Sequence, residues 1–331
     1  EIMPSLVGSE MCIRDRTILA NNVNTSALAF KFDIPEDKIK EKIKECSQKL
    51  LTVRNKRPQP GKDDKVITSW NGLMISAFSK GYRVTDNISY LDTAKTASDF
   101  FLTEFQKNNI LYRTFKNGVP KLNAYLDDYA YLANGILDLF EITGERKYLT
   151  FAYDLSAYMV NHFWDDSSNS FFFTSDRHEK LIIRPKSNYD LSMPSGNSIA
   201  SNVLLRLHHI LQDKKFLEIA TKILEYQGPL AAEYPFAFGY LLNVLYLYTQ
   251  TPTEITILND KNSELITQLN RKFIPESIMV LLKNYEELKE LSDYSFFSGK
   301  KFEPAQTSVF VCKNFTCSLP LINFEDIENE I

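Results

Sequence analysis

The sequence has no continuous apolar run of about 20 residues, the length that a membrane-spanning helix requires. It also has no basic stripe, because 38 Lys and Arg residues are interspersed with 42 Asp and Glu residues and the formal net charge is −4. Nucleic acid binding requires positive charge concentrated on one face of a protein. These absences exclude the membrane-spanning and nucleic acid-binding classes, so neither a membrane nor a nucleic acid is expected as a partner.

Glycine and cysteine are also scarce. The 331 residues include 11 Gly and no glycine-rich phosphate loop, so a dinucleotide-binding α/β sheet is not predicted. The 4 Cys residues are too scattered for a disulfide framework, and no charged-then-apolar signal segment opens the sequence. We therefore expect a protein of the reducing cytoplasm that holds no metal and no cofactor.

Cys312 and Cys317 are the two cysteines that lie close together in sequence. On a straight strand their thiols would point to opposite faces and lie about 16–17 Å apart. They could meet only if the chain turned at Lys313 and Asn314. The expected role of the pair is structural.

What the sequence contains in quantity is helical hairpins. Three segments share an aromatic–Leu pair, an Ala four residues after its aromatic residue and further apolar positions at helical spacing; they begin at Tyr90, Tyr148 and Phe216. Each follows a helix that is apolar almost all round, at 67–82, 129–142 and 199–211. Because such helices must be covered on both sides, the predicted fold is mainly α, a partial α/α toroid with these helices inside. A straight solenoid is the alternative.

Strand patterns lie between and after the hairpins. Residues 109–118 and 170–185 are predicted as β-hairpin insertions, the second formed by 170–176 pairing with 179–185. After Thr251 the pattern becomes strand, helix, strand, helix, strand, which predicts a small C-terminal α/β appendage with right-handed crossovers. The predicted domains are therefore a truncated toroid at 17–251 and the appendage at 252–331.

The first 16 residues are set apart from the fold. Translation of a transposon-end sequencing adapter gives this sequence from Leu6 to Arg16. Residues 1–16 are therefore expected to be an artefactual or disordered leader that packs against nothing. The natural N-terminal part of the chain is then expected to be missing.

Polar and acidic residues precede each inner helix. Because the hairpins repeat, the starts of the inner helices, here called the rim, are expected to converge on a shared pocket. Glycosidic-bond chemistry uses paired carboxylates, and aromatic side chains stack on sugar rings. Asp64 and Asp128 are the candidate catalytic residues, and no histidine is expected at the rim. The candidate ligand-binding residues are Trp70, Asn71, Asp127, Tyr129, Arg184, Asp190, Ser195 and Asn197.

A structural interpretation of these side chains remains open. Asp, Ser and Asn at a helix start accept hydrogen bonds from the free N–H groups of the first turn. Ser195, in the stretch SMPSGNS before the third inner helix, fits that role as well as a role in a pocket. Arg184 could pair with Asp190, bind an anionic ligand or be a surface residue of a strand.

Four segments of the sequence resemble one protein family: RPQPGKDDKVITSWNGLMISAF, LDDYAYL, RPKSNYDLSMPSGNS and VFVCKNFTCSLP. From about Lys49 to Pro320 the chain resembles the later part of the spermatogenesis-associated protein 20-like, thioredoxin domain-containing family. The resemblance implies a six-hairpin toroid similar to glycosidases and N-acylglucosamine 2-epimerases, preceded by a thioredoxin-like domain. The fold expected for this chain is then a partial (α/α)6 toroid. The thioredoxin-like domain and its C-x-x-C motif are missing from this chain, so the redox function that the resemblance implies is not expected here.

Two functions are compatible with the sequence. In the first, the toroid is a ligand-binding or scaffold module with a carbohydrate-like pocket at the rim, and its partner is a sugar-like small molecule. The alternative is a carbohydrate-active enzyme, glycoside hydrolase-like or sugar isomerase-like, that uses the rim carboxylates. The absence of rim histidines argues against an epimerase, and the truncated chain is expected to be inactive.

Overall fold

The structure is a computed structural model that describes residues 24–259, 261, 263–313 and 316–331. The leader expected at 1–16 lies outside these residues. The chain divides into two compact units, one ending at Asp63 and one spanning Asp64–Ile331. Within the described part of the chain, no helix is both long enough and apolar enough to cross a membrane.

The first unit contains two helices, α1 (Thr25–Phe32) and α2 (Glu36–Asn55). The side chain of Asn24 caps α1 by accepting a hydrogen bond from the backbone N–H of Ser26. Surface ion pairs one turn apart, such as that of Lys40 with Glu36, lie along α2. Because such pairs favour an exposed helix, α2 forms although only Ile39 of its side chains is buried.

Three helical hairpins form the body of the second unit. The inner helices are α3 (Thr68–Thr85), α5 (Leu126–Thr143) and α7 (Gly196–Leu211), and their outer partners are α4 (Ile88–Gln106), α6 (Arg146–His162) and α8 (Lys214–Glu233). Helix α5 packs between α3 and α7 and is buried along almost its whole length, and α9 (Gly239–Gln250) then packs on α7 and α8. This packing confirms the mainly α class and the partial toroid of helical hairpins.

Two glycines bring the backbones of α3 and α5 together. A Cβ added at Gly72 would lie 2.5 Å from the carbonyl carbon of Tyr131, and one added at Gly135 would lie 2.4 Å from the carbonyl oxygen of Gly72. Real Cβ atoms cannot sit at such distances from backbone. Glycine at these positions therefore sets how closely the two inner helices approach.

Short strands accompany the hairpins. A three-stranded antiparallel sheet consists of β1 (Val66–Ile67), β2 (Tyr112–Lys116) and β3 (Val119–Asn123), and a smaller pair consists of β4 (Trp164–Asp165) and β5 (Ser170–Phe171). The β-hairpin insertion predicted at 109–118 is present, but only β2 lies within that range, and its partner β3 extends the hairpin to Asn123. The strand predicted at 179–185 is wrong, because this segment pairs with no strand and leaves Ile182 and Ile183 exposed.

The C-terminal part has the predicted order of elements: β6 (Thr253–Leu258), α10 (Ser263–Arg271), β7 (Ser277–Leu282), α11 (Tyr285–Leu291) and β8 (Ser308–Lys313), followed by β9 (Thr316–Cys317) and α12 (Phe324–Glu330). The strand order is β7-β6-β8-β9. Strand β7 runs parallel to β6, whereas β8 runs antiparallel to it. The expectation of crossovers throughout is therefore wrong, because only the connection through α10 joins parallel strands.

One apolar cluster continues from the hairpins into this sheet. Phe140 of α5 packs edge-on against Phe297, with ring centroids 6.4 Å apart. A Cβ added at Gly144, just after α5, would lie 2.6 Å from the side chain of Leu282 on β7. The chain before and after Thr251 therefore shares one core.

Candidate functional site

The starts of the three inner helices meet at the rim. The backbone N–H of Ser69 on α3 donates to Asp128 Oδ1 on α5, at 3.1 Å. The start of α7 lies against the neighbouring acid, since a Cβ added at Gly196 would be 2.4 Å from Asp127 Oδ1. We call Asp127 and Asp128 the acid pair. The structure thus brings the first turns of α3, α5 and α7 to this pair.

Asp128 is fully buried and is bound by groups of three elements. Its Oδ2 accepts a hydrogen bond from the backbone N–H of Tyr125, at 3.0 Å, in addition to the bond from α3 to Oδ1. Arg113 of β2 places Nη1 3.5 Å from Oδ2. Burial raises the pKa of Asp128, while these donors and the charge of Arg113 act in the opposite direction. Its position is that of a capping residue that ties β2, α3 and α5 together.

Asp127 has a different environment, although it is the next residue. Its Oδ1 is buried and has no hydrogen-bond partner among the described residues. Burial, together with the negative charge of Asp128, raises the pKa of Asp127 to about 6, and the charge of Arg113 and a hydrogen bond from the backbone N–H of Gly196 only partly oppose this. Asp127 is therefore a carboxyl group that exchanges its proton near neutral pH.

Flat side chains lie beside the acid pair. The guanidinium of Arg113 lies over the ring of Tyr125, 4.9 Å from its centroid, and this ring stacks on Phe173 at 4.7 Å and on His178 at 5.1 Å. The expectation that no histidine lies at the rim is wrong, because His178 belongs to this stack. Arg113 and His178 are not among the predicted site residues, because both belong to insertions whose position over the rim does not follow from the helical repeat.

Two predicted ligand-binding residues, Asp190 and Ser195, bind backbone. Asp190 accepts hydrogen bonds from the N–H groups of Ser195 at 2.7 Å, Tyr240 at 2.8 Å and Leu241 at 3.0 Å. Ser195 caps α7 by accepting from the N–H of Ser198 at 3.0 Å. Asp190 thereby joins the starts of α7 and α9, which explains its burial.

Asn197 and Tyr129 are likewise engaged inside the protein. The Asn197 side chain accepts from Phe171 N–H at 2.7 Å and donates to the carbonyl oxygens of Phe171 and Ser187. The Tyr129 hydroxyl accepts from the N–H of Leu111 at 3.0 Å, and its ring is buried. Both residues hold insertions against the inner helices.

The remaining predicted residues differ in exposure. Asp64 Oδ1 lies 2.9 Å from Lys116 Nζ, so the two residues form an ion pair. Lys116 is the last residue of β2, at the end of the strand away from the acid pair. Asn71 donates to the carbonyl oxygen of Ile67 at 2.8 Å. Trp70 follows the residue that donates to the acid pair, and its side chain is 59% exposed. Trp70 is therefore an exposed large aromatic residue in the first turn of α3.

Arg184 supports the irregular segment that follows β5. Its Nη2 donates to the carbonyl oxygens of His162 and Thr174, and its guanidinium lies 4.0 Å from the ring centroid of Phe172. The ion pair with Asp190 that the sequence allowed does not form, because three backbone N–H groups occupy that carboxylate.

A separate cleft of about 290 Å³ lies away from the rim, between the C-terminal ends of α3 and α5 and the α/β sheet. Its lining includes Arg83, Glu141 and Met279, and it contains none of the predicted site residues. Within the described part of the chain, no three His, Cys, Asp or Glu side chains are grouped to hold a metal ion.

Comparison with known sequences gives the following relatives. No family model matches the chain. It is 27% identical over 328 residues to the uncharacterized protein B0495.5 of Caenorhabditis elegans, covering 96% of this chain and 44% of that protein. It is 24% identical to spermatogenesis-associated protein 20 of Homo sapiens, covering 93% of this chain and 41% of that protein. The family resemblance is thereby confirmed, and the chain spans less than half the length of these relatives.

Two solved structures show weaker similarity. The GH76 α-mannanase BT2949 of Bacteroides thetaiotaomicron gives a TM-score of 0.44 at 17% identity, covering 69% of this chain and 66% of that chain. The cellobiose 2-epimerase of Bacillus thermoamylovorans gives a TM-score of 0.41 at 18% identity, covering 50% of this chain and 45% of that chain. Similarity at this level carries no functional conclusion for this chain.

Proposed function

We propose that the rim binds a neutral, polyhydroxylated ligand such as a sugar, and that Asp127 is the carboxyl group that contacts a ligand hydroxyl. The observation that carries this proposal is the contrast among the rim acids. Asp128 and Asp190 are occupied by several backbone N–H groups and Asp64 by Lys116. Asp127, in contrast, has only the backbone N–H of Gly196 acting on its carboxylate, and its buried Oδ1 makes no hydrogen bond among the described residues. A buried carboxyl oxygen without a donor costs stability, which a bound hydroxyl group would recover.

The surroundings of Asp127 suit such a ligand. Trp70 supplies an exposed aromatic face one residue from the Ser69 N–H that binds the acid pair. Ligand sites commonly combine apolar or aromatic surface with a few well-placed polar groups. Arg113 is already engaged with Asp128 and Tyr125, so the rim offers little free positive charge for an anionic ligand.

Acid–base catalysis on a glycosidic bond is the second candidate function, because the pKa of Asp127 is raised to about 6, which suits a general acid. Hydrolysis also needs a second carboxylate that reaches the substrate or its water. Asp128 is fully buried and Asp64 is ion-paired with Lys116. For this reason we favour binding over catalysis for this chain.

Ligand titration tests the proposal directly. Calorimetry with methyl α-mannoside, N-acetylglucosamine and cellobiose is expected to detect binding of at least one sugar by the full chain. Asp127→Asn and Trp70→Ala should each weaken that binding at least tenfold, because one loses the carboxylate and the other the stacking face. Ser195→Ala is the matched control, since it removes a cap and should leave affinity unchanged. Parent-like affinity in both site variants, or no binding by the parent, would refute a sugar site.

Asp127→Asn also has an expected effect that needs no ligand. A pKa of about 6 in the folded state lies above the ordinary value of 3.8, so ionising Asp127 between about pH 4 and pH 6 destabilises the native protein. The variant should therefore be more stable than the parent at pH 7, by at most about 3 kcal/mol, and no more stable at pH 4. Urea unfolding at both pH values measures this difference.

Asp190→Asn is the control for the stability measurement. Three backbone N–H groups bind the Asp190 carboxylate, so its neutral replacement should destabilise the protein at pH 7. Equal loss of stability in both variants would show that Asp127 is satisfied like Asp190, which contradicts the basis of the proposal.

A further inference from the structure

A disulfide bond joins Cys312 to Cys317, at the outer end of the C-terminal sheet. The two residues face each other across the antiparallel pair β8 and β9, so the chain makes the turn that their contact requires. Cys312 is buried, with 1% of its surface exposed, whereas Cys317 belongs to the exposed two-residue strand β9. An external reagent therefore reaches the sulfur of Cys317 before that of Cys312.

A lysine lies beside the accessible sulfur. Lys300 Nζ is 3.9 Å from Cys317 Sγ and donates a hydrogen bond to the carbonyl oxygen of Phe296. The same ammonium group lies 5.7 Å from the ring centroid of Phe296 and 5.9 Å from that of Phe310. These contacts hold the Lys300 amine at the disulfide instead of leaving it free in solvent.

Two opposing effects set the pKa of the Lys300 amine. Burial lowers the pKa of Lys300 to about 8, and the negative charge of Glu254 on β6 acts in the opposite direction. Glu254 is in turn contacted by His209 Nδ1, at 3.2 Å. At pH 7 the amine is therefore mostly a cation, and it loses this charge as the pH rises through about 8.

We propose that the Cys312–Cys317 disulfide is a thiol–disulfide exchange site for low-molecular-weight thiols, in which Cys317 is the reacting sulfur and Lys300 stabilises its thiolate. A cation close to a cysteine favours the thiolate, which is the nucleophile and the better leaving group in exchange. This site lies in the C-terminal sheet, and it is independent of the proposed sugar site at the rim.

The exchange balances as two successive displacements. A thiolate RS⁻ attacks Sγ of Cys317, so that a new R–S–Sγ bond forms and the Sγ–Sγ bond breaks. The electron pair of the broken bond passes to Sγ of Cys312, which then takes a proton from solvent. A second RS⁻ then attacks the R-bearing sulfur and releases RSSR together with the Cys317 thiolate beside Lys300. Two thiols are oxidised to one disulfide, and the protein disulfide is reduced to two thiols.

The fold allows this reaction to stay local. Strand β8 remains paired with β6 through Glu254 opposite Cys312, so the sheet does not depend on the disulfide. Strand β9 contributes only Thr316 and Cys317 to the ladder. Cys312 is therefore held where it can displace R from Cys317 in the reverse, oxidising direction.

The first test measures the nucleophilicity of the reduced pair. The full chain is reduced, and the rate of Cys317 alkylation by iodoacetamide is followed from pH 6 to pH 10 by mass spectrometry of tryptic peptides, which Lys313 separates from those of Cys312. Lys300→Met should slow alkylation of Cys317 at pH 7 at least fivefold and shift its profile to higher pH. Lys300→Arg should keep the parent rate at pH 7, where both side chains are cations, and Lys301→Met, at the exposed neighbouring position, is the matched control.

The second test follows the exchange itself. Incubation of reduced Cys312→Ser protein with glutathione disulfide should place one glutathione on Cys317 and release the other as a thiol, and Lys300→Met in that background should slow the reaction at least fivefold. Cys46, a free and exposed cysteine in the first unit, reports the reactivity of the reagent in the same sample. An unchanged rate in the Lys300→Met variants, or alkylation of Cys312 as fast as that of Cys317, would overturn the proposal.

Discussion

Replacing Arg206 by Met is expected to lower the free energy of unfolding at pH 7 by about 3 kcal/mol, because it removes the buried cation that two buried carboxylates share and leaves them only the more exposed Lys80 and Arg83. Arg206 Nη2 lies 2.8 Å from Asp138 Oδ1 and 2.6 Å from Glu141 Oε1, and all three side chains are buried between α5 and α7. Although burial acts to raise the pKa of Asp138, the charges of Arg206 and Lys80 bring it below its ordinary value. Urea unfolding followed by circular dichroism measures the loss.

An exposed ion pair provides the control for this substitution. Lys147 lies 2.9 Å from Asp99 Oδ1, with both side chains over 40% exposed. Lys147→Met should change the free energy of unfolding by less than about 1 kcal/mol. If Arg206→Met lowered the free energy of unfolding by no more than Lys147→Met, the Arg206 cluster would contribute no more to stability than an exposed ion pair.

Gly72→Ala is expected to cost about 3 kcal/mol or more, because the new methyl group would overlap the backbone of α5 at Tyr131. The two inner helices would have to separate, which also disturbs the bond from Ser69 to the acid pair. Thermal and urea unfolding of the variant, compared with the parent, give the difference.

Gly239→Ala is the matched control, because Gly239 begins helix α9 and a Cβ added there meets nothing within 4 Å. Alanine has the higher helix propensity, so this variant should be as stable as the parent or more stable by up to about 1 kcal/mol. Equal effects of the two substitutions would show that close approach of α3 and α5 is not required.

The helices were predictable from the sequence because their signal is local. Apolar residues on all sides of α5 indicate a helix covered on both sides, and the repeat of such helices with amphipathic partners gives the hairpins. The irregular segment at 179–185 was mistaken for a strand because Leu181, Ile182 and Ile183 favour one. Strand formation depends on a partner, and local composition does not supply it.

The candidate site was predictable only in outline. The repeat places the starts of the inner helices together, as the contacts of the acid pair with Ser69 and Gly196 show. It does not distinguish Asp127 from Asp128, because the difference comes largely from Arg113 of β2 and from the backbone N–H of Ser69 on α3. Long-range contacts of this kind leave no pattern in the sequence near the acids.

The Arg206 cluster was missed although the sequence carries a signal for it. Asn134, Asp138 and Glu141 lie four and then three residues apart, so they follow one stripe of the otherwise apolar helix α5. Arg206 contacts all three from α7. Polar residues at helical spacing on a buried helix therefore indicate a buried polar cluster.

The apolar cluster that crosses from α5 into the α/β sheet has a consequence for how the second unit unfolds. Phe140 and Phe297 cover each other, and Leu282 closes over Gly144, so the sheet cannot detach without exposing the inner helix. The free energy needed to open one part is therefore most of the free energy needed to open both. The hairpins and the sheet then behave as a single cooperative folding unit, despite the change of architecture at Thr251.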